Sequence, residues 1–132
     1  MIKIERPKLG DETRQWGPPF VGDESTYFLS VNRNKRSIAI DVKQPAGLEV
    51  VRRLVSTADV FIENFLPGTL DRLGLGWDEL SELNPGLVYA SITGYGATGP
   101  CTPPPPPPRP SASAVLAVVS MLCRALLPST HL

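Results

Sequence analysis

Three stretches of this sequence end in residues suited to holding a ligand: Lys43, the pair Asn64-Phe65, and the turn Thr93-Gly94-Tyr95-Gly96. Arg6 and Arg72 add two further cations at comparable places in the pattern. Cations and backbone N–H groups suit phosphates, and an apolar slot beside them suits a base, so the set fits a nucleotide-like ligand. Each residue also has a structural reading: Lys43 and Arg72 as solvated charges flanking helices, Asn64 as a turn former. Asn32-Arg33-Asn34-Lys35-Arg36 is a compact basic turn. It reads as solvated, or as a phosphate contact for the same ligand, and not as a nucleic-acid patch.

Gly94-Tyr95-Gly96-Ala97-Thr98-Gly99 has the spacing G-x-G-x-x-G after a strand-like run. A dinucleotide fingerprint also needs a helix next and an acidic residue about 20 positions on. Pro100 and a proline run follow instead, and no Asp or Glu occurs after Glu82, so that fingerprint is rejected. The glycines fit a loop passing close to a ligand or another backbone. His131 is the single histidine and Cys101 and Cys123 the two cysteines, which excludes His-centred catalysis in the body, a disulfide framework and a metal site.

Charge and proline divide the 132 residues unequally. Residues 1–100 hold all 13 carboxylates and 11 of 13 Lys and Arg, a net charge of −2, which argues against a nucleic-acid partner. Eight of the 15 prolines crowd between Pro100 and Pro110. The longest apolar segment, Ala112 to Leu127, is interrupted by Arg124 and is shorter than the roughly 20 residues of a spanning helix. No membrane association is expected, and the chain reads as intracellular.

Strand and helix must alternate to place the candidate residues. Ser37 to Val42 alternates apolar and polar at strand period. Pro45 then opens a helix whose apolar positions are Leu48, Val51, Leu54 and Val55. Val60 to Ile62 is the next strand, broken by Pro67-Gly68; Thr69 is expected to cap a short helix that Gly74 ends. Trp77 to Leu83 is a further helix closed by Asn84-Pro85-Gly86, and Leu87 to Ile92 a further strand. Met1 to Glu5 adds a strand, Tyr27 to Val31 another near the sheet edge, and Gly10 to Asp23 a loop. Short crossovers predict an α/β fold, a partial Rossmann-like parallel sheet of βαβαβ order, with an antiparallel α+β domain as the alternative. In such sheets ligands bind outside the carboxyl ends of the strands, where Arg6, Lys43, Asn64 and the glycine-rich turn all fall.

The residues so placed carry a resemblance. Ile2-Lys3-Ile4-Glu5-Arg6-Pro7, Gly10-Asp11-Glu12-Thr13-Arg14, Trp16-Gly17-Pro18-Pro19-Phe20 and the run Tyr27 to Ile38 match the family III CoA-transferases, the CaiB/BaiF group. Asp59 to Phe65, Pro67 to Gly74 and Tyr89 to Pro100 continue the match in order over residues 1–100. The resemblance implies coenzyme A contacts at Arg6, Ile40 to Lys43, Asn64, Phe65, Leu66, Arg72, Ile92, Thr93, Gly94 and Tyr95. Arg6 and Arg72 would meet phosphates, and Phe65 and Ile40 would line the adenine slot. It implies no permanently bound cofactor: coenzyme A and acyl-CoA are substrates, a carboxylic acid is the acceptor, and an aspartate forms the covalent intermediate.

That aspartate lies beyond the Thr93 to Gly96 loop in the family, and this sequence has no Asp there. The expected layout is a partial CoA-binding domain over 1–100, a proline-rich linker over 101–112 and an apolar tail, helical or disordered, over 113–132. Family members also carry a strand and a glycine-containing helix ahead of the Ile2 strand, and form interlocked homodimers for which 132 residues are too few. An incomplete chain, inactive alone, is therefore expected, in a cytoplasm or a mitochondrial matrix. An acyl-CoA racemase of the same family is the enzymatic alternative. The other is an interaction protein whose Pro104, Pro107 and Arg109 fit the P-x-x-P-x-R ligand of SH3 domains, or a profilin-type ligand.

Overall fold

The computed structural model describes residues 1–94, 96 and 116–119. Its centre is a five-stranded sheet built from two parallel pairs. Ile2–Glu5 (β1) runs parallel to Arg36–Ala39 (β4), with Ile4 opposite Ile38. Val60–Glu63 (β5) runs parallel to Val88–Ser91 (β6), with Ile62 opposite Ala90. Between the pairs lies Leu116–Val119 (β7), antiparallel to β1 and to β5, so the order is β4-β1-β7-β5-β6.

One face of the sheet meets the longer helices. Pro45–Val55 (α2) begins with proline, whose missing N–H is no loss at a first helical position. It buries Val51 and Val55, and Trp77–Leu83 (α3) buries Leu80. These residues close on Ile4, Ile40, Phe61, Leu75 and Leu87 in one cluster. Each fully buried leucine or phenylalanine there stabilises by about 1.5–3 kcal/mol. The Asn84 amide donates to the carbonyls of Val55 (2.9 Å) and Ala58 (2.7 Å), tying the end of α3 to the turn between α2 and β5.

Successive strand residues point to opposite faces. Ile2 and Ile4 therefore face α2, while Lys3 and Glu5 face a smaller layer made of residues 6–35. That layer holds a 3-10 turn at Glu12–Gln15, a hairpin of Phe20–Val21 (β2) and Glu24–Ser25 (β3), and the helix Thr26–Val31 (α1). Ser25 caps α1 by accepting from the Tyr27 N–H (3.1 Å), and its hydroxyl donates to the Trp16 carbonyl.

The α/β architecture matches expectation; several elements differ in kind. Tyr27 to Val31 is helix rather than edge strand: the Ser25 cap and the Asn32 amide, which donates to the Phe28 carbonyl (2.9 Å), close a helix over residues whose aromatic content favours strands. The basic turn Asn32–Arg36 thus joins a helix to a strand. Within Gly10 to Asp23, read as loop, lie the 3-10 turn and β2. Thr69 caps nothing: the 3-10 turn Asp71–Leu73 follows Leu70 without a side-chain cap, and Gly74 ends it at φ +66°. The apolar tail contributes a strand and not a helix at Leu116–Val119, because a slot between two strands suits a short, β-branched run with no polar side chain. Tyr95, the polyproline run with Pro104, Pro107 and Arg109, and the rest of the tail lie outside the described residues. Among the described residues no helix is long and apolar enough to cross a membrane.

Candidate functional site

The strand register aligns one rim. Leu116 stands opposite Ile4 on one side and opposite Glu63 on the other. Glu5 is opposite Ala39, and Glu63 is opposite Ser91. The carboxyl ends of the four parallel strands therefore finish within one residue of one another, the β1–β4 pair one residue beyond the β5–β6 pair. The residues that follow them, Arg6, Ile40, Asn64 and Ile92, come out side by side along one edge. The Ile40 N–H donates to the Glu5 carbonyl (2.9 Å), and the Ile92 N–H to the Glu63 carbonyl (2.8 Å), which extends the pairing one step into the loops.

Three loops on this rim are braced in the same way. The Asp41 carboxylate accepts from the Lys43 N–H (3.0 Å), the Glu63 carboxylate from the Phe65 N–H (2.6 Å), and the Thr93 hydroxyl from the Gly96 N–H (2.8 Å). Side chains at or just after the strand ends thus bend each loop through a local side-chain-to-backbone bond. Those three N–H groups are occupied within the protein.

The cations remain accessible. Arg6 pairs with Glu12 at 3.0 Å, with side chains 43% and 39% exposed, a surface contact worth about 0–1 kcal/mol and readily exchanged for a phosphate. Lys43 is exposed on the loop before α2. Arg72 is exposed in the connection leaving the rim after β5; its guanidinium donates to the Gly68 carbonyl (3.1 Å) and the Thr69 hydroxyl (3.4 Å). Leu66 and Ile92 are half or more exposed, and Phe65 is half-buried beside them. Ile40, expected to line the adenine slot, is buried in the core cluster. Asn64 and Gly94 are exposed on the rim and Thr93 half-buried.

Two residues that position this rim escaped sequence reading. Glu63 is buried at the end of an apolar strand and holds the Phe65 turn. A carboxylate ending a hydrophobic run was the available signal. Gly47 lets the first turn of α2 approach the Asp41 backbone; a Cβ there would collide with the Asp41 carbonyl. Burial raises the Tyr89 phenol, and the Glu63, Asp71 and Glu79 carboxylates raise it further, so Tyr89 stays neutral.

A second charged cluster lies beneath β1, on the face covered by residues 6–35. The Lys3 ammonium donates to the Asp11 carboxylate and to the Asn32 amide oxygen (3.3 Å). Arg14 grips Glu5 with two bonds of 3.0 Å and Glu24 with one of 2.6 Å. Ser37 (2.9 Å) and the Asp11 N–H (2.9 Å) also donate to Glu5. Lys3 and Arg14 both lie over the Phe28 ring, 4.6 and 4.0 Å from its centroid. Burial would raise the Glu5 carboxyl, but the bonds from Arg14, Ser37 and Asp11 outweigh it and hold Glu5 below its ordinary value. Burial would likewise raise Asp11, but the bonds from Lys3 and Thr13 outweigh it, so Asp11 is lowered too. Lys3, Glu5 and Asp11 are buried and mutually satisfied, a structural cluster. Among the described residues no group of His, Cys, Asp and Glu is disposed to hold a metal ion.

Comparison with known proteins follows the same residues. The chain matches the sequence model of CoA-transferase family III over residues 1–121. It is 57% identical over 100 residues to succinyl-CoA:glutarate CoA-transferase of Homo sapiens, covering 76% of this chain and 23% of that protein. It is 50% identical over 99 residues to acetyl-CoA:oxalate CoA-transferase of Acetobacter aceti, covering 75% of this chain and 25% of that protein. A CaiB/BaiF family protein from Brucella suis has a solved structure that superposes with a TM-score of 0.72 at 52% identity, over 76% of this chain and 28% of that one. The chain spans about a quarter of the length of these relatives.

Proposed function

The chain belongs to CoA-transferase family III, and on that premise we propose that the rim at the carboxyl ends of β1, β4, β5 and β6 binds coenzyme A. The observation that supports this reading is the register, which brings four strand ends within one residue of one another, so that Arg6, Asn64 and Ile92 follow them along one edge. Arg6 and Arg72 are the phosphate partners, each held by contacts weak enough to exchange. Lys43 adds charge beside the first turn of α2, whose backbone dipole also favours an anion. Phe65, Leu66 and Ile92 offer an apolar wall to the adenine ring. Asn64, Thr93, Gly94 and Tyr95 complete the loops that the ligand would cross.

The reaction served by this site is transfer of coenzyme A from an acyl-CoA to a free carboxylic acid. An aspartate attacks the thioester carbonyl, releasing coenzyme A thiolate and leaving a mixed anhydride. The thiolate then attacks the aspartyl carbonyl, forming an aspartyl thioester and freeing the first acid. This chain has no Asp or Glu after Glu82, and its rim carboxylates are committed to loop bonds. The part we assign to it is therefore coenzyme A binding, with transfer requiring a carboxylate from elsewhere. Calorimetric titration with coenzyme A tests the assignment. Saturable binding is expected, weakened about 10- to 100-fold in Arg72→Ala, in keeping with loss of one charge-assisted bond of about 1.5–3 kcal/mol. No heat of binding at millimolar coenzyme A would overturn it.

A further inference from the structure

Arg52 and Arg53 share the last turn of α2 but not its surroundings. Arg53 is exposed, while Arg52 is half-buried and donates to the Gly74 carbonyl at 3.1 Å, across 22 positions of sequence. Either arginine answers the helix dipole, which favours a cation in the last turn. The bond to Gly74 is a separate feature that the dipole does not explain.

Gly74 closes the turn that carries Arg72. Leu70 and Leu75 are buried in the core at the two ends of this arch, and Asp71 and Arg72 are exposed between them. The Leu75 N–H donates to the Leu70 carbonyl (2.9 Å) and the Gly74 N–H to the Asp71 carbonyl (3.0 Å), which ties the arch across its base. The Arg72 guanidinium is fastened to Gly68 and Thr69, where the arch begins. The placement of Arg72 therefore follows the arch, and the arch ends on the residue that Arg52 holds. Gly74 is suited to that contact in two ways. Its φ of +66° lies in the left-handed region that glycine adopts without cost, and a Cβ there would stand 2.6 Å from a terminal nitrogen of Arg52. The missing side chain is what lets the guanidinium reach the carbonyl.

Resting on the assignment of coenzyme A to the rim, we propose that Arg52 is a positioning residue for Arg72. Its bond fixes the arch of residues 70–75 to α2, so that the Arg72 guanidinium is held in place before a phosphate arrives. Lys43 precedes the first turn of the same helix, and Arg52 lies about 10 Å further along its axis. Two cations offered to the ligand are thereby referred to one rigid element, which lowers the ordering cost of binding.

Calorimetric titration of the full chain with coenzyme A tests this in a cycle of parent, Arg52→Met, Arg72→Ala and the double variant. Methionine keeps an unbranched stem and removes the donor. Arg52→Met is expected to bind about 3- to 10-fold more weakly than the parent. In the Arg72→Ala background the same substitution is expected to change the affinity less than about 2-fold. Arg52→Lys, which restores a donor of like charge, is expected to recover most of the loss. Equal losses with and without Arg72 would overturn the proposal, because Arg52 would then act by its own charge or through general stability. Amide exchange without ligand reads the arch itself: Gly74 and Leu75 should exchange faster in Arg52→Met, and unchanged rates would overturn the proposal as well. Failure of the parent to bind coenzyme A would remove the rim assignment and this role with it. Parent binding that Arg52→Met leaves untouched would remove the role of Arg52 alone.

Discussion

Two charged regions of this molecule meet at β1, one beneath the strand and one just past its carboxyl end, and behave oppositely. Beneath β1, Lys3, Glu5, Asp11 and Arg14 are paired and largely hidden, and Glu5 and Asp11 are held below their ordinary titration range. One residue beyond β1, Arg6 is solvated and paired only with an exposed Glu12. Lys43 and Arg72 share its exposure. A buried, satisfied charge is expensive to disturb but offers a ligand nothing; an exposed one contributes little to stability and is available for binding. Charge beneath the sheet therefore maintains the layer of residues 6–35, and charge on the rim is what the proposed function assigns to the ligand.

The largest test of that contrast is Asp11→Ala, which strands the buried Lys3 ammonium. A loss of about 3–5 kcal/mol in urea unfolding is expected. Acid makes the same break without a mutation. Glu5 and Asp11 have lowered folded-state values, so their contribution is complete above their unfolded values and is lost as the pH falls through the folded ones. Urea midpoints measured between pH 7 and pH 2 should therefore drop at the acid end, and more steeply in the parent than in Asp11→Asn. Gly47→Val is the intermediate case: its side chain would collide with the Asp41 carbonyl and push α2 from the rim, at about 1–3 kcal/mol and with weaker coenzyme A binding. The smallest effect on stability is expected for Arg72→Ala, within about 0.5 kcal/mol, although it is the variant that most specifically weakens the ligand.

Much of the frame was legible in the residues themselves. Alternation marked β4, proline at a first helical turn marked α2, and the strand-end rule located the rim. What escaped has physical causes. Tyr27 to Val31 carries strand-favouring side chains, and only the Ser25 cap and the burial of Phe28 between two cations make it helix. Leu116–Val119 became a strand through a tertiary slot that no local pattern announces. The strand at Met1 to Glu5 was legible, but not that Lys3 and Glu5 are buried on it, because their partners Asp11, Arg14 and Asn32 lie 8 to 29 positions away in the chain. Gly47 and Glu63 act on the backbone of neighbouring loops, and a residue that shapes a loop leaves no periodic trace.

Amide hydrogen exchange with and without coenzyme A addresses the division of labour most directly, because it reads both charged regions in one sample. Slower exchange is predicted in the loops at 40–44, 64–66 and 92–94, with residues 3–14 unchanged apart from the neighbourhood of Arg6. Protection centred on the Lys3, Glu5 and Asp11 cluster, with the rim loops unaffected at saturating coenzyme A, would contradict the account.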